Sequence, residues 1–313
     1  MRGPPGPGQA PPRRKRPPEG ATHGRAADEE RYPGLVRAAV VQVRSGGDKA
    51  ANLARLAGAV AAAADQGAEL VVAPEVAMHG YGRPGTDLAA VAEPLDGPFV
   101  AGLAHLAHAH RLTVVAGMFE ARGHDERVHN TVVAVGPGGL VARYRKLHLY
   151  DALGWCESDR VAPGDPADGV PVFGAGDLVV GLVTCYDLRF PEVARLAAAA
   201  GATALAVPAA WVAGPGKAAQ WEVLLRARAI ENTLYVLAAG QPAPSYTGRS
   251  MVVGPAGAVV ARLGAGTEGP AAGVLVADLA AAEVAEVRAG MPVLAQRRFA
   301  VVPASMPPQG WRG

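Results

Sequence analysis

Three polar residues follow apolar, strand-like segments and could together perform acyl transfer. Cys185 follows Leu-Val-Val-Gly-Leu-Val-Thr, Glu75 follows Leu-Val-Val-Ala-Pro, and Lys146 follows Leu-Val-Ala-Arg-Tyr-Arg. Because open α/β layers place their chemistry at the carboxyl ends of strands, all three side chains could project into one cleft. A carboxylate can take a thiol proton, the thiolate can attack a carbonyl, and an ammonium can stabilise the resulting oxyanion.

Each of these residues also has an ordinary structural interpretation. A buried, inert thiol is the usual fate of a free cysteine, and the segment around Cys185 alone favours neither interpretation. Glu75 and Lys146 taken singly would be assigned to a solvated ion pair. A helix is predicted to open near Pro191, and the N–H groups at its start would favour a thiolate. If Cys185 is a nucleophile, we therefore expect its pKa to lie below the ordinary value.

Five short motifs, in order along residues 36–302, resemble those of the nitrilase superfamily of carbon–nitrogen hydrolases. The motifs are Ala73-Pro74-Glu75, Arg145-Lys146-Leu147-His148-Leu149-Tyr150-Asp151, Cys185-Tyr186-Asp187-Leu188-Arg189-Phe190-Pro191-Glu192, Arg226-Ala227-Arg228-Ala229-Ile230-Glu231-Asn232 and Met291-Pro292-Val293-Leu294. Each motif alone is weakly specific, whereas all five in this order are typical of the family. The resemblance implies that Cys185 is the nucleophile and Glu75 the general base. It also implies that Lys146 and the backbone N–H of Tyr186 stabilise the tetrahedral oxyanion.

Glu157 is a fourth catalytic candidate, because it follows Lys146 by 11 residues, where the family carries a second active-site glutamate. In that role it would orient Lys146 and the attacking water; otherwise it is a loop carboxylate in solvent. The neighbouring Cys156 lacks a position at a strand end, so we interpret it as a thiol outside the site. No cofactor is expected, and the histidines within 105–110 are interpreted as a solvated helix face rather than a metal site.

Three further residues are candidates for substrate binding. Arg189 could clamp a substrate carboxylate, or it could pair internally with Asp187 or Glu192. Trp211 follows a predicted strand at the position where the family has a pocket wall. Glu120 follows another predicted strand and could either face the cleft or only cap the hairpin, and the sequence leaves both interpretations open.

The residues after the nucleophile indicate which C–N bond is cleaved. Nitrilases proper usually carry Trp-Glu there, whereas this chain has Tyr186-Asp187, which favours amide over nitrile hydrolysis. The run from Cys185 to Glu192 is most similar to the branch of ω-amidases and deaminated-glutathione amidases. A small linear amide is the expected substrate, with ammonia or an amine as product. Hydrolysis of N-carbamoyl amino acids or of nitriles is the enzymatic alternative, and a noncatalytic binding or scaffold protein on the same fold is the alternative from another class.

Composition and charge limit the other functional classes. The chain has 313 residues, of which 50% are hydrophobic, and a net charge of +2. Residues 1–33 hold seven Lys and Arg against four Asp and Glu, so the remainder is nearly neutral and gives no electrostatic case for a nucleic-acid partner. No apolar run of about 20 residues is present, so we expect no membrane partner. Two cysteines are too few for a disulfide framework and indicate a reducing, cytoplasmic setting.

The order of predicted elements indicates an α/β fold. Strands and helices alternate in two similar halves, which predicts two mixed sheets with helices outside. The resemblance specifies a four-layer α-β-β-α sandwich, whose helix layers pair in a homodimer. The hydrolase domain is expected over residues 34–303, followed by a tail over 304–313. The Pro- and Arg-rich extension over 1–33 has too few apolar residues to form a core and is predicted to be disordered.

Four predictions about individual elements bear on the site. A strand is predicted over 131–135, and another over 178–184 leads directly to Cys185. Residues 150–176 are expected to be mostly loop. The last clear strand is predicted over 273–278.

Overall fold

Two β-sheets pack against each other at the centre of the molecule. The computed structural model describes residues 29–32, 34–83, 85–123, 126–264 and 272–303. The first sheet consists of β1 (Val36–Val43), β2 (Leu70–Val72), β3 (Thr113–Glu120), β4 (Val128–Gly136), β5 (Gly139–Arg145), β6 (Val161–Ala162) and β13 (Ala272–Leu279). The second consists of β7 (Val172–Ala175), β8 (Leu178–Leu182), β9 (Ala204–Ala209), β10 (Tyr235–Gly240), β11 (Met251–Val253) and β12 (Val259–Arg262). The strand order is β13-β1-β2-β3-β4-β5 in the first sheet, with β6 beside β4, and β12-β11-β10-β9-β8-β7 in the second.

Helices cover the outer face of each sheet. The first sheet is covered by α1 (Lys49–Ala64) and α2 (Pro98–His110), and the second by α3 (Pro191–Ala199) and α4 (Lys217–Asn232). A fifth helix, α5 (Ala281–Gly290), follows β13. The layers are therefore α-β-β-α, which confirms the predicted fold. Within the described ranges, none of the helices has the length and apolar character needed to cross a membrane.

Local sequence signals account for where the helices begin. Asp48 caps α1, because its side chain accepts a hydrogen bond from the N–H of Ala51 at 3.0 Å. Pro98 and Pro191 occupy the first turns of α2 and α3, where the missing N–H of proline leaves no hydrogen bond unmade.

The buried strands read as nearly continuous apolar runs because both of their faces are covered. In β4, Val132 and Ala134 pack between the two sheets, whereas Val133 and Val135 pack toward α1 and α2. Successive side chains of a strand point to opposite faces of the sheet. This alternation decides which polar residues near strand ends enter the space between the sheets.

Parallel strands bring the predicted polar residues to common edges. β1, β2 and β3 run parallel in the first sheet, and β8, β9 and β10 run parallel in the second. β5 runs in the same direction as β3, because both are antiparallel to β4. The residues that follow β2 and β5 therefore emerge at one edge of the first sheet.

Several element boundaries differ from the prediction. β4 begins at Val128 rather than at residue 131, and therefore includes Asn130. β8 ends at Leu182, so Cys185 lies in the following turn rather than directly at the strand end. The predicted loop over 150–176 contains β6 and β7. Helix α5 was not predicted, because its Ala-rich sequence lacks a clear apolar stripe.

Two residues of the predicted N-terminal extension, Arg31 and Tyr32, contact Glu286 on α5. The Tyr32 hydroxyl donates a hydrogen bond to Glu286 at 2.6 Å, and the ion pair with Arg31 measures 3.4 Å. The predicted extension before residue 29 and the predicted tail over 304–313 lie outside the described residues.

Candidate active site

Polar residues from the ends of both sheets meet in a cavity of about 290 Å³. Its polar side chains come from the segments that follow β2, β5, β8, β9 and β10. Seven of the eight residues predicted from the sequence line the cavity: Glu75, Lys146, Glu157, Cys185, Tyr186, Arg189 and Trp211. The eighth predicted residue, Glu120, is not part of the lining.

Lys146 lies between two carboxylates inside the cavity. Its Nζ is 3.0 Å from Glu75 Oε1 and 2.9 Å from Glu157 Oε2. All three side chains are almost fully excluded from solvent. Burial alone would lower the pKa of Lys146, but the charges of Glu157 and Glu75 outweigh it and hold this pKa well above its usual value. Lys146 is therefore a cation at neutral pH.

Glu157 is held in place by several donors. Besides Lys146, it accepts hydrogen bonds from the Tyr81 hydroxyl at 2.6 Å and from the backbone N–H of Tyr150 at 2.7 Å. Burial acts to raise the pKa of Glu157, but Lys146 and these donors bring it below its ordinary value. The structure thus places an ionised Glu157 next to Lys146.

Both sheets hold the carboxylate of Glu75. Asn130 Nδ2 on β4 donates to Glu75 Oε1 at 2.6 Å, and the backbone N–H of Ala210, after β9 of the other sheet, donates to Oε2 at 2.6 Å. Gly117 on β3 packs so closely on the backbone of Glu75 and Val76 that a Cβ would collide there. Val76 itself has a φ of +52°, which is strained for a branched residue. Contacts from three strands therefore maintain the turn that directs Glu75 between the sheets.

Two residues of this network, Asn130 and Tyr81, were missed by sequence analysis. The Tyr81 hydroxyl lies 3.2 Å from Glu75 Oε1 and 2.7 Å from Asn130 Nδ2. Burial, followed by the charges of Glu157 and Glu75, raises the pKa of Tyr81 well above its usual value, so the hydroxyl keeps its proton. Asn130 has the same strand phase as Val132, and a prediction of β4 at its full length would have placed it between the sheets. Tyr81 lies outside regular secondary structure and has no comparable signal in the sequence.

The thiol lies on a strained turn. Cys185 begins the 3₁₀ turn Cys185–Arg189 between β8 and α3, and its φ is +44°. A positive φ is uncommon for a residue with a side chain and persists only where the surroundings enforce it. The side chain is buried and lines the same cavity as Glu75.

The predicted thiolate is not found at this site. Burial, followed by the negative charge of Glu75, raises the pKa of Cys185 well above its ordinary value, although Lys146 acts in the opposite direction. The prediction was wrong because it included neither the burial of the thiol nor the charge of Glu75. The resting residue is a neutral thiol, and the Glu75 carboxylate in the same cavity can accept its proton.

A second hydrogen-bonded network braces the same turn. The carboxylate of Asp187 is fully buried and accepts hydrogen bonds from Tyr144 Oη at 2.9 Å and from the backbone N–H of His148 at 2.9 Å. It also lies 2.7 Å from His148 Nδ1. The His148 ring stacks on Phe190, with ring centroids 3.6 Å apart. The network joins the turn that carries Cys185 to the segment after β5.

Arg189 lines the cavity and has no carboxylate partner among the residues that the structure describes. Its Nη2 donates to Gln220 Oε1 at 2.8 Å, and its Cζ lies 4.7 Å from the ring centroid of Trp211. Asp187, one of its predicted partners, is engaged by the network that braces the turn. The guanidinium can therefore still bind a carboxylate in the cavity.

Glu120 and Cys156 lie outside the cavity lining. Glu120 forms an ion pair with Arg145 and accepts a hydrogen bond from Thr131 Oγ1 at 2.7 Å. Burial acts to raise the pKa of Glu120, but the bonds from Arg145 and Thr131 bring it below its ordinary value. Of the two interpretations that the sequence left open for Glu120, the structure favours a position outside the cleft, where Arg145 and Thr131 bind its carboxylate. Cys156 is exposed, in agreement with its interpretation as a thiol outside the site.

Comparison with known proteins agrees with this arrangement. The sequence pattern described as carbon–nitrogen hydrolase matches residues 37–289. The chain belongs to the carbon–nitrogen hydrolase family. This carbon–nitrogen hydrolase is 44% identical over 276 residues to a hydrolase of Mycobacterium tuberculosis, covering 83% of this chain and 94% of the relative. It is 38% identical over 266 residues to the deaminated glutathione amidase of Escherichia coli O157:H7, covering 85% and 98% of the two chains.

A solved structure extends the similarity to the fold. The amidase from Nesterenkonia sp. AN1, studied as a double mutant in complex with acrylamide, is similar to this carbon–nitrogen hydrolase with a TM-score of 0.71 and 28% identity. The match covers 84% of this chain and 94% of that amidase.

Proposed function

We propose that this carbon–nitrogen hydrolase cleaves the C–N bond of a small linear amide through a thioester on Cys185. The observation that carries the proposal is the presence of the Cys185 thiol, the Glu75 carboxylate and the buried Lys146 ammonium in one cavity. Acyl transfer requires a nucleophile, a base and a stabilising cation, and these side chains supply them.

In the first half of the reaction, Glu75 takes the thiol proton as the sulfur of Cys185 bonds to the amide carbon. Negative charge moves to the carbonyl oxygen, where Lys146 and the backbone N–H of Tyr186 stabilise it, each by roughly 3 kcal/mol. The C–N bond breaks as Glu75 gives the proton to the leaving nitrogen. Ammonia or an amine departs, and the acyl group stays on Cys185.

In the second half, water attacks the thioester carbon and gives a proton to Glu75. Glu157 keeps Lys146 in position and orients the water. The second tetrahedral intermediate collapses by breaking the C–S bond, and Glu75 returns the proton to the sulfur of Cys185. The carboxylic acid leaves, and the neutral thiol is restored.

The preferred amide carries a carboxylate a few atoms from the scissile carbonyl. Arg189 supports this inference, because its guanidinium lies in the cavity and can bind a carboxylate through two parallel hydrogen bonds. Similarity to a deaminated glutathione amidase also supports it. A noncatalytic scaffold would not need an ammonium buried between two carboxylates, since removing these charges from water costs several kcal/mol per ion.

We also propose that two copies of the chain pair through α4 in a cytoplasmic setting. Val223 and Ile230 on this helix are 64% and 52% exposed, which provides an apolar strip for a second helix layer. Cys156 and Cys185 are both free thiols, as a reducing compartment would leave them. Light scattering of the purified protein tests the pairing, and a monomeric mass at micromolar concentration would contradict it.

Release of ammonia across a panel of compounds tests the proposed chemistry. We expect turnover of primary amides such as succinamate, with little from matched nitriles or N-carbamoyl amino acids. Cys185→Ser protein, prepared identically, controls for a contaminating hydrolase, and Cys156→Ser is the matched thiol control that should keep its activity. Ammonia release from nitriles or carbamoyl compounds alone would overturn the amidase assignment.

A further inference from the structure

The two oxygens of the Glu75 carboxylate have different surroundings. Three side-chain donors approach Oε1: Asn130 Nδ2 at 2.6 Å, Lys146 Nζ at 3.0 Å and Tyr81 Oη at 3.2 Å. For Oε2, the described residues supply one backbone donor, the N–H of Ala210 at 2.6 Å. Because donors stabilise the charged form of a carboxylate, the oxygen with fewer donors takes up a proton more readily. Oε2 is therefore the oxygen suited to the thiol proton.

The donor of Oε2 also lies near the thiol. Ala210 and Cys185 both line the cavity, whereas Asn130, a donor of Oε1, does not. Burial, followed by the charge of Glu75, raises the pKa of Cys185, and the Ala210 backbone is among the groups that act to lower it. The Oε2 side of the carboxylate is therefore the side nearer to the sulfur.

Lys146 cannot hold Glu75 throughout the reaction. Its ammonium has three N–H groups, and it contacts carboxylate oxygens at 3.0 Å on Glu75 and at 3.1 and 2.9 Å on Glu157. The oxyanion of the proposed reaction needs one of these N–H groups. Once Glu75 has taken the thiol proton, it is neutral and attracts the ammonium less, so its N–H group is the one that can turn to the oxyanion. Another group must then keep the Glu75 side chain in place.

Asn130 on β4 is placed to do this. Its side chain is fully buried, and its Nδ2 lies 2.7 Å from Tyr81 Oη as well as 2.6 Å from Glu75 Oε1. Its backbone carbonyl accepts a hydrogen bond from the N–H of Lys146 at 2.9 Å, so one residue holds both the Lys146 backbone and the Glu75 carboxylate. The amide is uncharged, and its bond to Oε1 can persist while Oε2 carries a proton.

The orientation of this amide carries a cost that packing alone does not explain. Asn130 Oδ1 is buried, and no group in the described part of the chain donates a hydrogen bond to it. An unpaired buried carbonyl oxygen destabilises a fold, and an apolar side chain of similar size would avoid that cost. Turning the amide over would place Oδ1 against Glu75 Oε1, and two acceptors repel each other. The site therefore uses the N–H groups of Asn130 at the expense of its oxygen.

We propose that Asn130 is a positioning residue for the base: it holds Glu75 Oε1, so that Oε2 receives the thiol proton while Lys146 turns to the oxyanion. The inference rests on the proposed amidase function. Asn130 does not line the cavity, so it acts through Glu75 rather than on the substrate. No bond forms or breaks at Asn130; the proton moves from the sulfur of Cys185 to Oε2 and then to the leaving nitrogen.

Steady-state kinetics of Asn130→Leu protein tests the inference, because leucine has a similar volume and donates no hydrogen bond. We expect kcat for succinamate to fall about 10²-fold and KM to change less than about twofold, since the base is displaced while the cavity wall is intact. Loss of a donor to the charged carboxylate raises its pKa, so the acid limb of the kcat/KM profile should move up by about one pH unit. An unchanged kcat and acid limb would overturn the inference.

Thr131→Val is the matched control, because Thr131 is the next residue of β4 and donates to the buried carboxylate of Glu120. It should lower the free energy of unfolding but keep kcat and the acid limb. If Asn130→Leu does not fold, Asn130→Ala makes the same comparison with a smaller side chain. Equal losses of kcat in the Thr131 and Asn130 variants would show a general disturbance of β4 and overturn the inference.

Crystal structures of the wild-type and Asn130→Leu proteins separate this inference from the proposed function, since they need no turnover. We expect the Glu75 carboxylate to be turned or displaced in the variant. A turned carboxylate, together with wild-type protein that hydrolyses no amide, would refute the amidase assignment and support the positioning role. Turnover of succinamate by wild-type protein, together with an unmoved Glu75 carboxylate in Asn130→Leu, would support the amidase and refute the positioning role.

Discussion

Lys146 and Arg145 are neighbours in the chain, yet they bind buried carboxylates in two different regions of the molecule. Lys146 contacts Glu75 and Glu157 inside the cavity, whereas Arg145 contacts Glu120 outside it. Lys146 and its two carboxylates line the cavity together with the Cys185 thiol, whereas Glu120 also accepts a hydrogen bond from Thr131 on the neighbouring strand β4. Two successive basic residues at the end of β5 therefore make one set of ion pairs inside the cavity and another outside it.

The adjacent strand shows the same division. On β4, Asn130 donates to Glu75 in the cavity, and the next residue, Thr131, donates to Glu120. Because successive side chains point to opposite faces, a shift of one residue would exchange the two sets. Strand phase, rather than residue type, therefore decides which of these two β4 side chains contacts Glu75 and which contacts Glu120.

The largest expected effect comes from removing charge on the cavity side. Glu75→Gln and Lys146→Ala should each lower kcat for amide hydrolysis by about 10²–10⁴-fold, because proton transfer and oxyanion stabilisation are lost. The double variant should lose little more than the worse single variant, since the two groups act as a unit. Steady-state kinetics on succinamate measures both effects.

Glu120→Gln is the matched control for that experiment, and it should leave kcat close to the wild-type value. If kcat fell as far in Glu120→Gln as in Glu75→Gln, the two carboxylates would not differ in their effect on the reaction, and the comparison would be contradicted. Fully additive losses in the double variant would show that Glu75 and Lys146 act independently.

The next effect concerns the stability of the fold and involves Glu120, which lies outside the cavity. Glu120→Gln should lower the free energy of unfolding by about 2 kcal/mol at pH 7, because Arg145 loses its charged partner. Since the folded-state pKa of Glu120 is depressed, its stabilisation is present above the unfolded pKa of about 4.3. It is lost as the pH falls through the folded pKa.

Urea unfolding at several pH values measures this contribution. The difference between wild type and Glu120→Gln should shrink below pH 4 or so. A difference that stayed constant down to pH 2 would mean that the ion pair does not stabilise the fold.

A smaller effect separates the two thiols. The raised pKa of Cys185 leaves little thiolate at pH 7, so methyl methanethiosulfonate should modify it more than about tenfold more slowly than exposed Cys156. Modification of Cys185 should speed up as the pH rises, which peptide mass spectrometry can follow. Rapid modification of Cys185 at pH 6 would contradict the raised pKa and support the thiolate that was predicted from the sequence.

The smallest expected effect concerns Asp187, another buried carboxylate, which braces the turn that carries Cys185. Asp187→Asn should lower kcat about tenfold with little change in KM, because the turn loses its charged bond to His148. The exposed Glu192, on the first turn of α3, provides the matched control Glu192→Gln. An Asp187→Asn protein with unaltered kcat and pH profile would show that the network does not position the thiol.

Much of the site could be predicted from the sequence because its residues follow recognisable strands. Glu75, Lys146 and Cys185 each come after an apolar run, and parallel strands deliver such residues to a common edge. The layered fold followed from the alternation of helices and strands together with the family motifs. Glu157 was placed by the family resemblance, which implies a second active-site glutamate at this distance after Lys146.

The missed features depend on properties that a single segment does not carry. Asn130 was missed because the start of β4 was placed too late, and the position of Glu120 stayed open because its face depends on the partner strands. The pKa of Cys185 was predicted in the wrong direction because it depends on burial and on Glu75, which lies 110 positions away in sequence. Each failure concerns side-chain direction or surroundings, which only the packed sheets define.

The central claim is that Cys185 carries the acyl group, and turnover by Cys185→Ala protein tests it most directly. The measurement is kcat for succinamate hydrolysis, made beside Cys156→Ala as the matched thiol control, with the unfolding free energy of both variants determined in parallel. The account predicts that Cys156→Ala keeps wild-type turnover, while Cys185→Ala remains folded and shows no hydrolysis above background. Near-normal turnover by a well-folded Cys185→Ala protein would contradict the account.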